Sequence, residues 1–83
     1  MNDPLDLRGL KCPLPALFAR RALARLAPGA ELEVVADDPL AALDIPHMCN
    51  QESHAVVRIT RDGAVTRLRL RRGTKPRDHI QRP

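Results

Sequence analysis

The chain of 83 residues has room for one small domain, and with Phe18 as its only aromatic ring its core must be built from Leu, Val, Ile and Ala. The aromatic platforms on which single-strand nucleic-acid binders stack bases are therefore excluded, no apolar run approaches a membrane span, and Met1-Asn2-Asp3-Pro4 has neither the basic region nor the apolar stretch of a signal peptide, so a cytoplasmic protein is expected. The net charge of +4, with fourteen Lys and Arg, suggests acidic partners, and two cysteines in such a compartment are expected to be free thiols rather than a structural disulfide.

In chain order, Leu5, Asp6 and Leu7 alternate as a short strand over Leu5 to Arg8, and Gly9 supplies a flexible corner. An Ala/Leu/Arg-rich run with helical spacing follows, from about Pro13 to Ala27. Pro13 suits the first helical position, where its missing N–H costs nothing, and Pro15 is tolerated in the same turn. That placement predicts Cys12 at the N-cap, facing free N–H groups and the positive end of the helix dipole, with Lys11 and Arg8 adding positive charge. A free cysteine has a pKa of roughly 8.5, and such surroundings lower it by one to several units, so Cys12 is expected to be ionised and nucleophilic near neutral pH. In a Cys-X-X-Cys redox site the fourth position is the resolving thiol, but here it is Pro15. An adduct on Cys12 would then persist until another protein removes it.

Phe18, Ala22 and Leu26 repeat at four residues, with Leu14, Ala19 and Leu23 beside them, as one apolar stripe. Arg20, Arg21 and Arg25 fall on the other side, as a solvated face or a docking surface for an acidic partner. Pro28-Gly29 is a stop signal. From Ala30 to Ala36, Leu32, Val34 and Ala36 alternate with Glu31, Glu33 and Val35 as a half-buried strand. Two strands flanking one helix predict a parallel pair with a right-handed crossover.

Asp37-Asp38-Pro39 reads as a capping loop, with Asp38 at the N-cap of a second helix from Leu40 to about Asn50. Metal or acid–base work by the paired acids is disfavoured, because no carboxylate or histidine follows at ligand spacing. Pro46 is expected to kink or restart this helix. Cys49 reads as a small buried hydrophobe, and His47, Cys49, His54 and Cys12 show no recognised zinc spacing, so no metal is expected. From His54 to Thr60 a strand is expected, with Val57 and Ile59 inward and Val56 and Arg58 outward. Asp62-Gly63 makes a hairpin turn, and a last strand from Ala64 to Arg71 turns Thr66, Leu68 and Leu70 inward and Arg67, Arg69 and Arg71 outward. The order β-α-β-α-β-β predicts an α+β fold, a two-layer α/β sandwich in which a four-stranded mixed sheet carries two helices on one face. A domain over 1–73 and a disordered tail over 74–83 complete the expected organisation.

Cys12-Pro13-Leu14-Pro15 resembles the Cys-Pro-X-Pro signature of the TusA/SirA-like sulfur carriers. Asp6-Leu7-Arg8-Gly9-Leu10 resembles that family's lead-in, Ala36-Asp37-Asp38-Pro39 its middle loop, and Asp44-Ile45-Pro46-His47-Met48-Cys49 the segment that follows. The resemblance runs from about Leu5 to Gly73. It implies a small cytoplasmic carrier that accepts persulfide sulfur on Cys12 from a cysteine desulfurase and hands it to an acceptor protein; a monomer is expected. In the family that sulfur feeds tRNA wobble-uridine thiolation, molybdenum-cofactor maturation or sulfur oxidation. No cofactor is implied beyond the transient persulfide. Lys11, Pro13, Leu14 and Pro15 would support the sulfur, and Arg8, Arg20, Arg21 and Arg25 are docking candidates. Leu14 stands where some relatives carry an acidic residue, a departure that bears on partner choice.

Two readings from other classes stand beside this one. Arg58, Arg67, Arg69 and Arg71 on an open sheet face would serve a nucleic-acid-binding or regulatory module, although direct nucleic-acid binding is not expected without aromatic platforms. A thiol redox protein would pair Cys12 with Cys49, which requires Cα atoms within about 7 Å.

Overall fold

Leu32, Val34 and Ala36 alternate along one strand and are all but sealed from solvent, which makes that strand a central member of the sheet. The computed structural model describes residues 3–74. Its elements run β1 (Leu5–Asp6), α1 (Leu14–Ala24), β2 (Glu31–Ala36), α2 (Ala41–Gln51), β3 (Ala55–Asp62) and β4 (Val65–Arg71). The sheet order is β1-β2-β4-β3, with β1 parallel to β2 and the other pairs antiparallel. This is the expected α+β sandwich: a mixed four-stranded sheet with both helices on one face.

The core lies between the layers. α1 contributes Pro15, Ala19 and Leu23 at spacings of four, and α2 contributes Ala41, Ile45, Met48 and Cys49. They meet Leu32, Val34, Ala36, Leu68 and Leu70 from the sheet, with Phe18, Ala22, Leu26 and Val56 at the margin. Each fully buried leucine, such as Leu23, Leu68 and Leu70, contributes about 1.5–3 kcal/mol by leaving water. Leu14, expected in the apolar stripe, is instead 38% exposed.

Several elements differ from the expectation: β1 ends at Asp6 rather than Arg8, and β3 runs Ala55–Asp62 rather than His54 to Thr60. α1 stops at Ala24 rather than Ala27, because its last turn tightens: the amides of Arg25 and Leu26 donate to the carbonyls of Ala22 and Leu23. α2 runs unbroken through Pro46. The ring removes a single helical donor, while Ile45, Met48 and Cys49 pack on both sides of it, so burial holds the helix together there. Asp38 stands two residues before the N-cap, Leu40, instead of capping α2 directly.

The facing of β3 also differs. Val56 pairs with Leu70 and Arg58 with Arg69, leaving Val57 as the extra residue of a β-bulge. Strict alternation fails at that point. Val56 therefore turns inward against the core, Val57 is 42% exposed, and Ile59, opposite Leu68, lies on the helix side of an edge strand that leaves it 45% exposed. The hairpin follows as expected, with Gly63 at φ +64° as first central residue of a two-residue turn between Asp62 and Val65.

On the open face Glu31 and Glu33 interlock with Arg67, Arg69 and Arg71 through N–O contacts of 3.1 to 3.5 Å. Val35, expected outward with the glutamates, is only 6% exposed, because it floors a hollow walled by Pro4, Asp6, Arg8 and Arg67. Of the tail expected over 74–83, only Thr74 falls among the described residues.

Candidate functional site

Parallel pairing of β1 and β2 puts the segments that leave their C-terminal ends side by side. One segment is the Gly9–Pro15 stretch with Cys12, and the other is Asp37-Asp38 with the start of α2. Both aspartates reach back across the gap. The Gly9 amide donates to Asp37 Oδ1 at 2.9 Å, and the Cys12 amide donates to Asp38 Oδ2 in a short bond. Asp38 Oδ1 also accepts from the Leu40 amide at 3.2 Å, so one nearly buried carboxylate ties the sulfur loop to the entry of α2.

The N-cap expected at Cys12 is Pro13 in the structure. The Leu14 amide turns back to the Lys11 carbonyl at 2.8 Å, and the helical ladder begins with the Leu17 amide on the Pro13 carbonyl at 3.1 Å. Cys12 thus stands one residue outside the helix, and no side chain caps α1. Pro15 takes the second helical position and is buried, while Pro13, Leu14 and Lys11 are exposed beside the sulfur.

The thiol is free and exposed, and its Sγ–H donates to Asp44 Oδ2 at 2.8 Å. That bond reverses the expected electrostatics. The Asp44 hydrogen bond leads in pushing the Cys12 thiol above its ordinary pKa, followed by partial burial and by the negative charges of Asp44 and Asp38. Arg8, expected to help ionise the sulfur, is turned onto Asp6 through bonds of 2.9 and 2.8 Å and holds that carboxyl down at about 2.

The structure spreads the docking candidates rather than gathering them. Arg20 borders a shallow apolar groove of about 190 Å³ with Pro13, Ala16, Leu17 and Met48, and lies 4.0 Å from Glu52. Arg21 is in the last turn of α1 and Arg25 is its C-cap. By helical rise, Arg25 lies roughly 16 Å along the axis from the end that carries Cys12. Nearer the sulfur, exposed Lys11 is accompanied by exposed large apolar side chains: Leu14 and Leu17 on α1, with Leu40 and Leu43 at the start of α2. A larger hollow of about 560 Å³, lined in part by Asn50, Ser53, His54 and Arg72, opens beyond the C-terminal end of α2 and contains no cysteine.

Cys49 is 1% exposed, as expected for a buried hydrophobe, and burial pushes its thiol up to about 11. It follows Asp44 by five residues on α2, which is roughly 140° around the helix, so it points away from the face that meets Cys12. Both cysteines are free. Among the described residues no three His, Cys, Asp or Glu gather as a metal-holding group. His54 Nδ1 accepts from the Gly73 amide at 2.9 Å, while His47 is exposed. The arginines of the nucleic-acid reading do share one face, but Arg67, Arg69 and Arg71 are engaged by Glu31 and Glu33, which leaves that face mixed in sign.

The parts played by Asp38 and Asp44 on Cys12 were not read from the sequence. Parallel adjacency of the first two strands was the available signal, since it brings the loops after them together. Among the described residues no helix is long and apolar enough to cross a membrane.

A family model described as "Sulfurtransferase TusA" matches residues 4–72. Among solved structures, the chain is similar to a SirA-like protein from Desulfitobacterium hafniense, with 24% identity, a TM-score of 0.74, and coverage of 84% of this chain and 96% of that one. At that identity the likeness is one of fold.

Proposed function

The chain belongs to the TusA sulfurtransferase family, and from that premise we propose that it is a cytoplasmic, monomeric sulfur carrier with Cys12 as the sulfur-bearing residue. It accepts persulfide sulfur from a cysteine desulfurase and relays it to an acceptor protein, in tRNA thiolation, molybdenum-cofactor maturation or sulfur metabolism. One observation carries the reading: of two free cysteines, Cys12 is exposed at the head of α1 and Cys49 is sealed in the core. A carrier needs an accessible thiol without a resolving partner, and the fold provides that division.

Transfer requires the Cys12 sulfur to attack the terminal sulfur of the donor's persulfide. Pro13, Leu14, Leu17, Leu40 and Leu43 offer an apolar collar against which a partner's active-site loop would exclude water, and Arg20 stands at the rim of the neighbouring groove. Lys11 contributes positive charge beside the sulfur. The covalent persulfide is the transient intermediate, with no resident cofactor.

The test is incubation with a cysteine desulfurase and cysteine, followed by intact mass. Wild type is expected to gain sulfur that a Cys12→Ala variant does not, and labelling that persists in the variant would overturn the assignment.

A further inference from the structure

Sulfur transfer needs Cys12 as a thiolate, yet the free molecule holds it as a hydrogen-bond donor 2.8 Å from a carboxylate. The charged groups around it are few. Asp44 approaches from α2 and Asp38 from the segment between β2 and α2, Lys11 is its chain neighbour, and Arg8 is occupied by Asp6. Among the described residues Asp44 takes part in no ion pair, and its second oxygen, Oδ1, accepts no hydrogen bond. Asp44 is half-buried, with exposed Leu40 and Leu43 beside it on the same helix, and its Oδ1 is left for a cation from outside.

We propose that Asp44 is a positioning residue for the transfer step: its carboxylate keeps Cys12 as a hydrogen-bonded thiol in the free carrier, and a cationic side chain of the docked partner, by neutralising that carboxylate, releases the thiolate. The proposal rests on Cys12 being the sulfur-bearing residue. Its chemistry balances without an added oxidant or reductant. The Cys12 electron pair attacks the terminal sulfur of the partner's persulfide, an Sγ–S bond forms and the partner's S–S bond breaks. The departing sulfur leaves with the electron pair and takes up the proton that Cys12 gave. One sulfane sulfur has moved, and the two cysteines have exchanged roles.

Holding the thiol has a use. A thiolate waiting in solution is open to oxidation, whereas a thiol under a neighbouring negative charge is slow to react. The geometry confines reactivity to the time of contact. It also separates the empty from the loaded carrier, because a persulfidated Sγ has no proton left to give Asp44.

The experiment is the pH dependence of iodoacetamide alkylation at Cys12, read by peptide mass in wild type, Asp44→Asn and Asp44→Glu. Asn copies the neutralised carboxylate. Its alkylation midpoint is expected to fall by about one pH unit or more, with about tenfold faster reaction at neutral pH, while Glu keeps the wild-type profile. An Asn variant with wild-type circular dichroism and an unmoved midpoint would overturn the proposal. Wild type alone supplies a second readout should the variant fold poorly: an S–H stretch displaced from that of a free thiol and missing in Cys12→Ala, whose absence would equally overturn it. The desulfurase assay keeps the two ideas apart. Loading on Cys12 with a profile insensitive to Asp44 sinks this proposal and leaves the carrier reading, whereas an Asp44-dependent profile in a chain that never loads keeps Asp44's hold on the thiol but overturns its part in transfer together with the carrier reading.

Discussion

Asp38 and Cys12 are twenty-six residues apart in the chain and joined by a hydrogen bond, from the cysteine's amide to the aspartate's carboxylate. Because Asp38 is only 8% exposed, water cannot readily replace it there. Asp38→Ala leaves the Cys12 and Leu40 amides without their acceptor and is expected to cost about 1–3 kcal/mol in urea unfolding. Asp38→Asn, which keeps a side-chain oxygen, is expected to cost less. The two variants together separate the loss of an acceptor from the loss of charge.

Leu23 holds the sheet-facing side of α1 with no exposed surface. Leu23→Ala should destabilise by about 2–5 kcal/mol, while Leu17→Ala on the exposed groove should cost much less. Thermal unfolding of the two variants checks the assignment of faces.

Cys49 makes a prediction about alkali. Burial raises its folded-state pKa to about 11, so the fold favours the thiol over the thiolate. The associated stability is fully present below the ordinary thiol range and is lost as pH rises through about 11. Wild type should therefore lose stability toward alkaline pH more steeply than Cys49→Ala. Denaturant melts at neutral and alkaline pH measure the difference, and iodoacetamide should label Cys49 only once the chain unfolds.

Gly73 lies so close to the turn before β3 that a Cβ there would meet the Ser53 carbonyl oxygen at 1.8 Å. Backbone cannot yield as a side-chain tip does. Gly73→Ala is expected to cost about 1–3 kcal/mol, measured as a drop in thermal midpoint.

The open face yields a contrasting result. Arg69 contacts both Glu31 and Glu33 at 3.5 and 3.2 Å, yet these groups remain partly exposed. Arg69→Ala should change stability by about 0–1 kcal/mol. If the face bound nucleic acid, Arg67→Ala with Arg69→Ala would abolish salt-sensitive retention on an RNA column; weak retention in wild type is the expected outcome.

Much of this architecture was readable in advance because its signals are local. The alternation of Leu32, Val34 and Ala36, that of Thr66, Leu68 and Leu70, and the turn at Gly63 each declare an element within a few residues. What escaped depends on distance. Nothing near Val57 announces a bulge, since its register is set by Leu70 and Arg69 on the neighbouring strand. The state of the Cys12 sulfur escaped for the same reason: a local reading sees proline, lysine and the start of a helix, whereas the group that controls it, Asp44, enters from thirty-two residues away. Pro46 shows the converse, a local breaker overruled by packing on either side.

β1 gives the sheet only Leu5 and Asp6, and gives them at its outer margin. The loop bearing the sulfur is thus held less by β1, the shortest strand among the described residues, than by the carboxylates of Asp37 and Asp38, while the helix it feeds is clamped by Ala19 and Leu23. The aim of the sulfur is therefore set by polar ties at the rim of the sheet, apart from the hydrophobic layer that holds the helix.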